Sequence, residues 1–203
     1  MIFTDKEISV LAENDIFFPF VGQKTRTLEN GTKALSYGLG HAGYDIRLSP
    51  KGMVILDNQT LIQDIEDTGM APVLDVKDFD EEAMVEAPLI EEQGSSFFIL
   101  PALSYALGVS IELISMPKNV MGLCFGKSTY ARQGTIINVT PIEPGWSGHL
   151  TICMVNPLLV PVRVYANEGI VQVVLAPLSE DVAQSYGDGK YQNQGASVTF
   201  AAA

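Results

Sequence analysis

Cysteine and histidine are scarce in this chain of 203 residues, which has two of each. Cys124 and Cys153 sit in apolar surroundings without Cys-x-x-Cys spacing, so neither a disulfide framework nor a zinc ribbon is expected. His41 and His149 stand alone and read as surface or edge-strand residues, not metal ligands. A basic stripe is missing too. Twelve Lys and Arg stand against 24 Asp and Glu, a formal net charge of −12, which leaves little to release counterions from a nucleic-acid backbone. Long hydrophobic runs are absent: residues 170–178 are interrupted by Gln172 and Pro177, far short of the roughly 20 apolar residues of a spanning helix. The opening MIFTDKEISV carries acids where a secretory signal carries bases. A cytosolic protein with neither a nucleic-acid nor a membrane partner is therefore expected.

What is present points to one globular domain. Apolar residues make up 47% of the chain and charged residues 18%, a balance that buries a core and argues against disorder. The acidity is local. Residues 57–92 hold 12 acids and one base, while the rest of the chain is nearly neutral. With weak periodicity, 57–92 reads as an acidic loop or arm inserted into the body. TDKEISVLAEN predicts a short N-terminal helix capped by Thr4 with Glu7 three residues on, and Ile8 and Leu11 on one face. Eight short Val- and Ile-rich runs follow, from MVILD through SSFFILPA, YALGVSIEL, VMGLCF, TIINVTPI, HLTICMVN and PVRVYA to GIVQVVLAP. Punctuated by Gly, Pro and Asn, they predict a mainly-β barrel or sandwich. The tail, 185–203, is polar, small and Gly-rich, a composition that is mobile in isolation.

Two segments hold chemistry unusual for such a body. Gly126-Lys127-Ser128-Thr129-Tyr130-Ala131-Arg132 groups two cations with two hydroxyls at the end of a strand, a set able to grip an oligophosphate if Arg132 turns back helically. It lacks the earlier Gly of a P-loop, and it reads equally well as a capped helical turn with solvated cations. In the second segment, 138–149, Glu143 stands between Pro141 and Pro144-Gly145 just before an apolar strand. The tight turn fixes this acid where it can meet a sugar hydroxyl or a water, although a surface turn has the same composition.

Taken in order, SYGLGHAGYDIRL at 36–48, ILPALSYALGVSIELISMP at 99–117, GKSTYARQGTIINVTPIEPGWSGH at 126–149, PVRVYANEGIVQVV at 161–174 and SYGDGKYQNQG at 185–195 resemble the dCTP deaminase and dUTPase superfamily. GKSTYAR, NVTPIEPGW and YANEGI are closest to the deaminase branch. The resemblance implies a homotrimer of distorted, jelly-roll-like β-barrels with nucleotide sites at subunit contacts. It also implies a pyrimidine deoxynucleoside triphosphate as ligand, Mg²⁺ carried by its phosphates and no zinc. On matching positions, Lys127, Ser128 and Arg132 would hold phosphates or the catalytic water, with Thr129, Tyr130 and Ala131 in the same segment. Glu143 would lie near the deoxyribose, Thr151, Ile152 and Cys153 would face the pyrimidine, and Gln172 would line the base pocket. Tyr186, Lys190 and Gln194 of the tail would close over the triphosphate.

The implied reaction replaces the C4 amino group of dCTP with oxygen from water, giving dUTP and ammonia. In similar deaminases a Glu on the strand after the Gly-His pair moves the proton, and here that position is Cys153. A thiol is a poor shuttle, whereas general acid–base catalysis typically supplies about 10²–10⁴-fold. The departure leaves two further readings beside deamination. One is a dUTPase-like pyrophosphatase that uses Glu143 on dUTP or a modified pyrimidine nucleotide, and the other is a catalytically silent nucleotide-binding trimer.

Overall fold

A computed structural model describes residues 1–201 except 71, 72, 74, 78 and 80. The chain begins with helix α1 (Asp5–Ala12). Its entry is set by Thr4, whose N–H and hydroxyl both donate to the Glu7 carboxylate at 2.8 Å, and Ile8 is driven into the core. Strands follow at Phe17–Phe18 (β1), Thr25–Thr27 (β2), Lys33–Leu39 (β3), Tyr44–Arg47 (β4) and Val54–Leu56 (β5), then helix α2 at Asn58–Thr68. Next come Met84–Glu86 (β6), Ile90–Glu92 (β7), Ser95–Leu100 (β8), Ser104–Ser115 (β9) and Val120–Gly126 (β10). Helix α3 (Ser128–Gln133) precedes Ile136–Asn138 (β11), Ser147–Asn156 (β12), Val162–Tyr165 (β13) and Gly169–Pro177 (β14).

These strands form three antiparallel sheets that make a distorted β-barrel. One is ordered β11-β12-β9-β5-β6 with β1 also on β9, the second β10-β14-β4-β3-β2, and the third β13-β8-β7. Period-two alternation points Ile152 and Met154 of β12, Ile46 of β4, Val173 and Leu175 of β14 and Phe98 of β8 into one shared core. Each such side chain, fully buried, contributes roughly 1.5–3 kcal/mol. The eight runs named above each hold a strand, and the short N-terminal helix stands where Thr4 and Glu7 place it.

Two expectations need correction. Residues 57–92 are not one loop: they contain α2, and β6 pairs with β5 while β7 pairs with β8. The pattern is weak there because Ile62 and Ile65 of α2 stay exposed and because the two strands lean on neighbouring strands for their order. His149 is not on an edge. It lies on β12, paired with Leu113 of β9 on one side and bonded through its N–H to the Gln194 carbonyl on the other, half-buried, with Nδ1 3.0 Å from the Ser110 carbonyl. Among the described residues no helix is long and apolar enough to cross a membrane.

Candidate functional site

A cavity of about 410 Å³ opens beside β12. Its floor is Tyr105 and Leu107 of β9 with Leu150 and Thr151 of β12, and its rim is the 139–143 stretch. Glu143 is placed there by a tight turn. The Trp146 N–H donates to the Glu143 carbonyl at 3.1 Å, with Pro144 and Gly145 between them and Gly145 at φ +79°, the pattern of a type II turn. Buried Ile142 exchanges two backbone hydrogen bonds with Gly122, of 2.7 and 3.0 Å, and so anchors the turn to β10. Glu143 itself is exposed and faces the cavity.

The tail closes the other side. Trp146 Nε1 donates to the Tyr191 carbonyl at 2.8 Å, the Ser147 N–H to Gln192 Oε1 at 2.9 Å, and the His149 N–H to the Gln194 carbonyl at 2.9 Å. Gly148 makes this approach feasible: a Cβ there would stand 2.7 Å from the Gln194 nitrogen. The tail, mobile by composition alone, is thus laid along β12 by backbone and side-chain hydrogen bonds that the composition does not reveal. Tyr186 and Gln194 line the cavity, while Lys190 is exposed, its ammonium 5.0 Å from the centre of the Tyr191 ring.

Alternation along β12 separates the three residues expected at the base. Thr151 and Cys153 share the half-exposed outer face, opposite Val109 and Leu107 of β9, whereas Ile152 is fully buried in the core and cannot face a ligand with its side chain. Cys153 sits next along that face from cavity-lining Thr151, with Asn138 of β11 as its other partner. Burial pushes its thiol up, so it stays protonated near neutral pH. Tyr105, on the same face, has its phenol pushed up to about 12, chiefly by burial and secondly by Cys153.

The predicted phosphate-gripping segment lies elsewhere on the chain. Residues 128–133 do turn helically, and Gly134 ends the turn at φ +97°. Ser128, Thr129, Ala131 and Arg132 are exposed. Tyr130 is instead a core residue, 2% exposed, whose hydroxyl accepts the Tyr165 N–H at 3.0 Å, so its side chain is not available to a nucleotide. Lys127 extends under the segment to Asp45 of β4, Nζ to Oδ2 2.7 Å, and these side chains are 10% and 3% exposed. Ser36 Oγ lies 3.5 Å and Lys24 Nζ 3.9 Å from the same Asp45 oxygen. Exposed Gln172 is the ladder partner of both Asp45 and Phe125.

The expected site residues thus fall into two groups. Glu143, Thr151, Tyr186 and Gln194 line the cavity, whereas Lys127, Ser128, Arg132 and Gln172 do not; Lys127 and Gln172 adjoin Asp45, and Ser128 and Arg132 are exposed on α3. Sequence reasoning missed Asp45, whose signal was a lone acid in the short segment YDIRL, and Tyr105 and Trp146, which read simply as strand and turn aromatics.

Comparison with known proteins agrees with these motifs. Residues 24–178 match the family described as dCTP deaminase-like. The chain is 41% identical over 194 residues to a dCTP deaminase of Chlamydia pneumoniae, covering 94% of this chain and 93% of the relative. It is 44% identical over 166 residues to a dCTP deaminase of Helicobacter pylori strain G27, covering 81% and 80%. The crystal structure of 2'-deoxycytidine 5'-triphosphate deaminase from Agrobacterium tumefaciens shares the fold at TM-score 0.51 and 14% identity over 86% of this chain; the chain spans about half of that longer one, 47%. The identity, spread over nearly the full length of both partners, leads to one conclusion: this chain belongs to the dCTP deaminase-like family.

Proposed function

We propose that the protein binds dCTP at contacts between the subunits of a homotrimer and hydrolyses its C4 amino group, releasing dUTP and ammonia. The observation that carries this reading is the separation of the two half-sites. A cavity sized for a nucleoside, with Glu143 and Thr151, lies apart from the cations of Lys127 and Arg132, and a second copy of the chain would bring one to the other.

In this arrangement Lys127 and Arg132 grip the triphosphate, Ser128 holds the attacking water, and Gln172 and Thr151 supply hydrogen bonds to the base. Tyr186, Lys190 and Gln194 shut the tail over the nucleotide. Mg²⁺ fits this reading as a companion of the phosphates: the segment offered to them is cationic, and among the described residues no three His, Cys, Asp or Glu side chains gather around a point. When bound, the ion supplies charge neutralisation for the triphosphate. Glu143 is the carboxylate at hand to take the proton from water, since the protonated thiol of Cys153 cannot. A cytoplasmic setting, where nucleotides are made and thiols stay reduced, suits the two free cysteines.

That same thiol favours a second reading, in which nucleotide is held without deamination or is cleaved at its phosphates by Glu143. Incubating the protein with dCTP and with dUTP separates the three. Ammonia from dCTP supports the proposal. Pyrophosphate from dUTP, or saturable binding with neither product, supports the second reading instead.

A further inference from the structure

The acidic arm reaches the cavity. Phe79, beyond α2, stacks its ring on Phe200 of the tail with centroids 5.7 Å apart and planes inclined by 17°. Phe200 lines the cavity with Thr199 and Ala201, and the Thr199 N–H donates to the Thr151 hydroxyl at 3.2 Å. The end of the chain therefore crosses β12 at a residue expected to face the base. Because about 410 Å³ remain with the tail in place, these residues are a wall of the cavity and not a plug in it.

An aromatic ring in such a wall offers a pyrimidine a flat apolar face, which no group of the phosphate segment does. Phe200 lies outside any helix or strand, so its ring is weakly fixed by its own backbone. The stack with Phe79 supplies the missing support, and it comes from the insert, which has no part in the chemistry set out above. Resting on the pyrimidine-nucleotide reading, we propose that Phe200 is a base-contacting residue of this site and that Phe79, on the acidic arm, is the positioning residue that holds it there.

Calorimetric titration of the full-length protein with dCTP and with inorganic tripolyphosphate, both with Mg²⁺, tests the inference. Phe200→Ala weakens dCTP binding by about fivefold or more, the scale of a lost base–aromatic stack. Phe79→Ala weakens it in the same direction, Phe79→Tyr restores it, and the double variant binds no more weakly than Phe200→Ala alone, because Phe79 acts through Phe200. Tripolyphosphate, which has no base, binds all variants equally. Wild-type affinity for dCTP in both alanine variants, additive losses, or an equal loss for tripolyphosphate would each overturn the inference while leaving the nucleotide reading in place. A wild-type protein that does not bind dCTP removes both together.

Discussion

Replacing Asp45 with Asn tests the least expected feature of the phosphate half-site. Asn preserves the shape and one acceptor but removes the charge opposite Lys127, whose ammonium is 2.7 Å away on a side chain only 10% exposed. An ion pair this enclosed gives modest net stability, yet losing one partner strands the other away from water, typically at a cost of about 3–5 kcal/mol. For a chain of this size that corresponds to a fall in Tm of about 6 °C or more. Lys24, 3.9 Å away and better exposed, relaxes into solvent. Lys127→Met strands the Asp45 carboxylate in the same way, eased by the Ser36 hydroxyl at 3.5 Å. The double variant removes both charges and recovers most of the loss, so thermal denaturation of the four proteins yields a strongly non-additive cycle. Additive losses, or an Asp45→Asn protein as stable as wild type, would refute the reasoning and detach Lys127 from its support.

Three other outcomes follow from the site. Cys153→Glu, which adds a carboxylate next to Thr151 on the face expected to meet the base, should raise ammonia release from dCTP above what exposed Glu143 alone supports, by up to about 10²–10⁴-fold in a coupled ammonia assay; an unchanged rate would rule out a proton-moving role for position 153. Arg132→Ala should weaken dCTP binding by roughly 1.5–3 kcal/mol, the worth of a charged hydrogen bond, and calorimetry showing equal affinity would take Arg132 out of the site. Glu168 is buried, and Oε2 accepts the Leu35 N–H at 2.6 Å while Oε1 has no hydrogen-bond partner among the described residues; burial raises its carboxyl above the ordinary value of 4.5. The folded state then holds this proton more tightly than the unfolded chain, so stability declines as pH rises from about 4.5 through the folded value. Glu168→Gln should flatten that part of the Tm–pH profile, and an unaltered profile would contradict the assignment.

The barrel was legible because its strands are rich in Val and Ile and are bounded by Gly, Pro and Asn, as in GIVQVVLAP and HLTICMVN. The Glu143 turn was legible for the same local reason: Pro144 and Gly145 admit few conformations. Non-local facts were not legible. Nothing in 185–203 announces that Tyr191, Gln192 and Gln194 satisfy the backbone and indole donors of 146–149, because the partners lie more than 40 residues away. The register of β12 decides that Ile152 turns inward while Thr151 and Cys153 turn outward, and a three-residue motif cannot state it. The insert misled because its helix leaves Ile62 and Ile65 uncovered, which weakens the pattern that normally reveals a helix.

The central claim is that the cations of one copy and the cavity of another make one nucleotide site, and subunit mixing tests it most directly. Arg132→Ala spoils only the phosphate half and Glu143→Gln only the cavity half. If the site is shared, unfolding the two variants together and refolding them at equal ratio should restore about a quarter of the sites to wild-type composition, with that share of the wild-type rate of ammonia release from dCTP. A mixture no more active than the average of its two components would contradict the account.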